Sequence, residues 1–230
     1  MYQHTEKHLV AIDCIIFGFE KGSLKLLLVK RKLEPCSGEW SLMGGFLFEK
    51  ESLDESASRV LNQLTGLKNV YLHQFHAYGD ISRDPADRVI SVAYFALIKI
   101  SEHDHNLVRE YDARWFSYDD KPVLIFDHDT MVASALEQLR FEAKTRPVGF
   151  ELLPEKFTLP QFQSLYECIY QKKLDNRNFR KSILASGILK KLDEKDRAGS
   201  KKGAWLYRFD KEKYQELLTK GFRFNLTISD

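Results

Sequence analysis

Apolar residues in the first half of the chain fall in short runs with the spacing of strands. VAIDCIIFGF (10–19) and LKLLLVKR (24–31) are rich in β-branched and aliphatic residues and flank Glu20-Lys21-Gly22-Ser23, which reads as a hairpin turn. EWSLMGGF, KNVYLHQFHAYG and RVISVAYFALIKI supply three further runs of the same kind. One segment breaks this rhythm. Across 52–65 the apolar residues stand at Leu53, Ala57, Val60, Leu61 and Leu64, a helical spacing, and Gly66 is placed to end that helix. A mixed sheet with helices packed on it, an α/β (α+β) class, accounts for this pattern.

The second half changes period. Asp127 or Asp129 is placed to cap a helix through MVASALEQLRFEAK, which Pro147 ends. GFELL reads as a short strand. A second helix starts after FTLP, with Thr158 as cap and Pro160 in its first turn. A third, NRNFRKSILAS, follows Asp175 and stops at Gly187; its apolar stripe is Phe179, Ile183 and Leu184, preceded by Leu174. ILKKL and WLYRF then flank the polar loop EKDRAGSKKGA, a β-hairpin pattern. Helix, strand, helix, helix, hairpin is the order of a winged helix-turn-helix. Two domains are therefore expected, 1–127 and 128–230.

Composition narrows the class. With 43% hydrophobic and 30% charged residues the 230-residue chain is ordinary for a soluble globular protein. The N-terminal apolar run is short and broken by Asp13, which fits neither a signal peptide nor a membrane span. Cys14, Cys36 and Cys168 are far apart and form no C-x-x-C pair, so a structural zinc site is not expected and reduced thiols in a cytoplasmic protein are. Cys14 reads as a small buried hydrophobe. Charge is uneven. Residues 171–213 carry 14 Lys and Arg against 6 Asp and Glu, a local +8 in a chain of net +2, which leaves −6 elsewhere. A basic module joined to an acidic one points to a polyanion partner for the former.

GGFLFEKESLDESASRVLNQLTGL carries the most specific signal. It resembles the signature of Nudix hydrolases, G-x5-E-x7-R-E-U-x-E-E-x-G-U with U an aliphatic residue. Gly45, Glu51, Arg59, Leu61, Gly66 and Leu67 match; Val60, Gln63 and Leu64 stand where three glutamates belong. RKLEPCSGEWSLMGGF, with Trp40, resembles the approach to that box. Nudix enzymes hold Mg²⁺ or Mn²⁺ against a diphosphate with several carboxylates on one helix, because hard cations need anionic oxygen ligands. Here the resemblance implies the fold and its pocket, with no metal, no cofactor and no catalytic residues; a weak Nudix diphosphohydrolase is the alternative. Glu51 and Arg59 have two readings, contact with a ligand or an ion pair bracing the loop.

The second half resembles the segment that follows the Nudix-like domain in Nudix-related transcription regulators, the NrtR group, through ELLPEKFTLPQFQSLYECIYQKKLDNRNFRKSIL and WLYRF. Residue chemistry agrees. Arg177, Asn178, Arg180 and Lys181 stand opposite the apolar stripe of the third helix; Arg reads guanine, Asn reads adenine, and Arg and Lys neutralise phosphate. Lys201 and Lys202 at the hairpin tip are placed to reach backbone or minor groove. The resemblance implies a homodimer on double-stranded operator DNA, released by a small effector.

That effector is expected to be a sugar. The family holds an arabinose-responsive branch, AraR, and an ADP-ribose-responsive one, and the chain resembles the first more. A diphosphate benefits from a metal or a concentrated basic clamp, whereas the first domain is net acidic. Lys30, Arg31, Trp40, Glu49 and Glu51 offer the hydrogen bonds and aromatic platform a pentose needs, so L-arabinose is favoured and ADP-ribose is the alternative. HAYGDISRDPADRVISVAYFAL resembles the ligand-facing strands and loop and adds His76, Tyr78, Arg83 and Arg88. His76 also fits a hydrogen-bonded core residue, and Asp84-Pro85 a simple turn.

Overall fold

The structure, a computed structural model, describes residues 6–20, 22–100, 106, 108–197, 202–222 and 224. The chain forms two compact units: Met1–Gly18 with Lys25–Ala135, and Phe19–Leu24 with Leu136–Asp230.

The first unit is built on a seven-stranded sheet. Strands β1 (Leu9–Glu20) and β2 (Ser23–Lys30) are followed by β3 (Trp40–Ser41), β4 (Met43–Phe46), β5 (His73–Tyr78), β6 (Val89–Lys99) and β7 (Ala113–Ser117). Their order is β3-β2-β1-β6-β5, with β4 also on β1 and β7 also on β2. Central β1 is buried without interruption from Ile12 to Gly18, as a strand covered on both faces must be. Its Asp13 lies opposite Gly44 and its Ile12 opposite Gly45. That register places a carboxylate beside the Gly-Gly pair.

Helix α1 (Leu53–Thr65) forms where the periodicity puts it. Ser52 accepts from the Glu55 amide while the Glu55 carboxylate accepts from the Ser52 amide, a reciprocal cap, and Gly66 at φ 75° ends the helix. Ala57, Val60 and Leu61 pack with Ile12, Cys14 and Met43 in the core. A Cβ on Gly45 would meet Val60 Cγ2 at 2.8 Å, so the glycine lets β4 approach the helix. Cys14 is buried, and burial pushes its thiol pKa up.

Helix α2 (His128–Thr145) begins where the expected domain boundary falls, while the division between units lies further on, between Ala135 and Leu136. In the second unit, α3 (Leu159–Tyr170) and α4 (Asn176–Ala185) precede the wing strands β9 (Leu189–Asp196) and β10 (Ala204–Phe209). Strand β8 (Phe157–Thr158) pairs with β10, giving the order β8-β10-β9. Helix α5 (Lys211–Thr219) follows. Thr158 and Gln161 cap α3 reciprocally, with Pro160 in the first turn. Phe150 stacks on Phe209 at 4.2 Å and on Phe162 at 4.6 Å, and Phe162 meets Phe179 edge-on at 5.6 Å. This aromatic core seats α4 against α3.

Several elements differ from the pattern reading. GFELL is a turn of 3₁₀ helix, Phe150–Leu152, entered through Gly149 at φ 85°. KNVYLHQFHAYG becomes strand only at His73, and EWSLMGGF is two short strands that share no partner. Leu184 is exposed rather than part of the buried stripe, because Phe179 and Ile183 alone suffice to seat so short a helix. Strand β7 and helix α5 were not anticipated: the first has five residues, and the second has nine, none of them fully buried.

Candidate functional site

A cavity of about 260 Å³ opens in the first unit beside the Gly44-Gly45 pair. Lys30, Arg31 and Lys32 line it at the end of β2, with Phe126, Leu64 and Arg83 on other walls. Its floor is a buried polar network. Arg83 donates to both carboxylate oxygens of Asp127, at 3.0 and 2.9 Å, and lies 3.5 Å from Asp13. Asp13 also accepts from Ser91 Oγ at 2.6 Å. His128 Nδ1 accepts from the Leu42 amide at 3.2 Å, which leaves its proton on Nε2, 3.7 Å from Asp13. Burial lowers the His128 pKa against the opposing pull of Asp13, so the ring stays neutral. A Cβ on Gly44 would meet Asp13 Oδ1 at 2.5 Å; the glycine makes room for that carboxylate.

Of the residues singled out in the sequence, Lys30, Arg31 and Arg83 line this cavity. Arg31 Nε donates to the Leu33 and Pro35 carbonyls, and its guanidinium lies over the Phe126 ring at 5.2 Å. Trp40 is outside the lining; it meets Phe116 edge-on at 4.8 Å beneath the Lys30 ammonium. Glu49 is exposed outside the cavity. His76 and Tyr78 form an edge-on pair on β5, and Arg88 donates to the Asp80 carbonyl to shape a loop. Asp13, Asp127 and His128 were not proposed as site residues. The signal for Asp13 was present, a carboxylate interrupting an otherwise apolar strand.

Glu51 and Arg59 form the brace. Arg59 Nε donates to Glu51 Oε2 at 2.8 Å, and its Nη2 reaches Glu51 Oε1 and the Phe46 carbonyl. The Phe48 amide donates to Glu51 at 2.8 Å. Arg59 chiefly, then Phe48 and Ser56, hold the Glu51 carboxyl at about 2 despite some desolvation. The guanidinium also lies 3.9 Å over Phe48. Neither residue lines the cavity.

The residues present do not fit a divalent cation. Val60 is buried against Gly45, Leu64 shows the cavity an aliphatic wall, and Gln63 Oε1 accepts from Arg59 at 3.1 Å. The surviving carboxylate, Glu51, is saturated by its own donors. Among the described residues no group of three or more His, Cys, Asp or Glu could hold a metal ion.

In the second unit, α4 turns Phe179 and Ile183 inward and leaves Arg177, Asn178, Arg180 and Lys181 exposed. Asp175 accepts from the Asn178 amide at 2.7 Å and fixes where the helix starts. Among the described residues Arg177, Arg180 and Lys181 have no carboxylate partner. Lys202 is exposed just before β10; Lys201 lies outside the described residues.

A Nudix-fold sheet whose metal positions are apolar, joined in one chain to a winged helix with an exposed Arg/Asn face, defines a ligand-binding domain coupled to a DNA-binding one. Residues 7–135 match the NUDIX domain and residues 149–209 the NrtR DNA-binding winged helix domain. The chain belongs to the NrtR family of Nudix-related transcription regulators. The ADPR responsive transcriptional repressor NtrR of Acinetobacter baylyi is 32% identical over 210 residues, 90% of this chain and 84% of its own. Shewanella oneidensis NrtR complexed with a 27mer DNA is similar at TM-score 0.78 and 29% identity, over 95% of this chain and 99% of that one. The NUDIX domain of S. oneidensis NrtR complexed with ADP ribose gives TM-score 0.52 and 31% identity, over 59% of this chain and 90% of that one. Among the described residues no helix is long and apolar enough to cross a membrane.

Proposed function

We propose that the chain is a cytoplasmic transcriptional repressor that binds operator DNA through α4 as a homodimer and releases it when ADP-ribose enters the Nudix-fold cavity, without hydrolysing that ligand. The observation that carries this reading is the cavity wall: among the described residues Lys30 and Arg31 stand there without carboxylate partners, beside Leu64 where a metal-binding glutamate would be. Such a wall suits a diphosphate bound by cationic side chains. The relative from A. baylyi is named for its response to ADPR, and the S. oneidensis domain was crystallised with ADP ribose.

L-arabinose, the effector expected from the sequence, gives way to ADP-ribose. That expectation rested on a resemblance to the arabinose-responsive branch, on the lost metal carboxylates and on the net acidity of the whole first domain. Local charge at the cavity is what a ligand meets, and Trp40, Glu49 and Glu51, the other members of the imagined sugar site, do not line it.

Titration calorimetry with ADP-ribose and with L-arabinose tests the effector, and product analysis with Mg²⁺ or Mn²⁺ tests turnover. Saturable heat with ADP-ribose alone and no metal-dependent AMP release are expected. Metal-dependent release that disappears in Glu51→Gln would make the domain an enzyme, and absence of ADP-ribose binding would remove the effector.

A further inference from the structure

The wing carries a basic surface that the polar face of α4 does not account for. Trp205, opposite Lys195 on the β9–β10 ladder, is 37% exposed although indole is ordinarily well covered. The Lys191 ammonium lies 3.9 Å from the centre of its ring and the Lys195 ammonium 4.4 Å. Both cations are thereby held within about 8 Å of one another by the same aromatic surface.

Among the described residues no ion pair engages either ammonium, although Asp193 stands between them on β9. Glu194 of the same strand is paired with Lys156 at 2.8 Å, and among the described residues neither Lys191 nor Lys195 has a carboxylate partner. Two like charges side by side repel, so a fold that seats them together is relieved by an anion with closely spaced charges. Duplex DNA offers this, with successive phosphates of one strand at about 3.4 Å of axial rise. Seating both lysines on the indole also removes much of the rotamer freedom that free lysines lose on binding.

We propose that Lys191 and Lys195, seated on Trp205, form a clamp on the wing that grips two phosphates of duplex DNA, in addition to the contacts of α4. Trp205 is a positioning residue and the ammoniums make the contacts. The clamp rests on the DNA-binding reading above and adds to it a site on a different element.

The test uses the full chain and a labelled duplex of about 27 base pairs and mixed sequence, with anisotropy followed over a range of salt. Each phosphate contact contributes about 0.9 to the slope of log affinity against log salt. Lys191→Gln with Lys195→Gln should lower that slope by nearly two, and the paired Arg substitutions should restore it. Trp205→Leu should weaken binding several-fold with the slope little changed, because both charges remain. Should Trp205→Leu fail to fold, the Gln pair on the surface still decides. If the Gln pair keeps the parent slope while Arg177→Ala with Arg180→Ala weakens binding, the clamp is wrong and the DNA reading stands. If the parent chain binds no duplex, both fall.

Discussion

Glu51 is a remnant of a metal motif put to mechanical use. Its carboxylate locks the loop after β4 to α1 through Arg59 and the Phe48 amide, and that is why its pKa sits at about 2 against an ordinary 4.5. A depressed folded pKa stabilises the fold fully above the ordinary value and is lost as pH falls from about 4.5 toward 2. Glu51→Gln should therefore be less stable than the parent in urea at pH 7, with the gap closing near pH 2–3. A gap that stays constant with pH would place the effect elsewhere. Arg83 is the opposite case, a cation with 3% of its side chain exposed between Asp127 and Asp13. Replacing it by Met leaves the buried Asp13 and the half-buried Asp127 without their cation and should cost roughly 3–5 kcal/mol in a denaturant melt. A loss below about 1 kcal/mol would mean that water reaches the pair.

At the scale of elements, packing between β4 and α1 gives a sharp expectation. Gly45→Ala places a methyl 2.8 Å from Val60 Cγ2, and Val60 is β-branched and buried, so it has little room to rotate away. The substitution should destabilise by about 1–3 kcal/mol, and adding Val60→Ala should recover part of it. A double mutant no better than the single would show that the strain is in the backbone. Elements with strong local codes were legible in the sequence. The spacing of Leu53, Ala57, Val60, Leu61 and Leu64 with Gly66 behind it announces α1, and Thr158 with Pro160 announces α3. Elements lacking such codes were not: α5 is short and buries none of its residues fully, and GFELL has a strand's composition but begins with a glycine in the left-handed region. The site was legible in a different proportion. Lys30, Arg31 and Arg83, named from the sequence, line the cavity, whereas Asp13, Asp127 and His128 join the network only because strand register and the start of α2 bring positions 13, 83 and 127–128 together. No local pattern carries that information.

For the whole molecule, the proposed switch is bound by thermodynamics. ADP-ribose can release DNA only if it binds the DNA-free conformation more tightly, and operator DNA must then weaken ADP-ribose by the same factor. Coupling of this kind usually amounts to roughly 5–150-fold. A helix of ten residues reads few base pairs, so specificity calls for two copies of α4 on related half-sites, spaced by about one helical turn. A duplex recovered from a random pool by the protein itself supplies the operator for the measurement. Operator affinity is measured with and without saturating ADP-ribose, ADP-ribose affinity with and without operator, and the number of chains per duplex by sedimentation. Equal factors and two chains per duplex are expected. Unequal factors would mean that the ligand acts on some species other than the one that binds DNA. An operator affinity indifferent to ADP-ribose would leave the winged helix a DNA-binding domain and strip the cavity of its regulatory role.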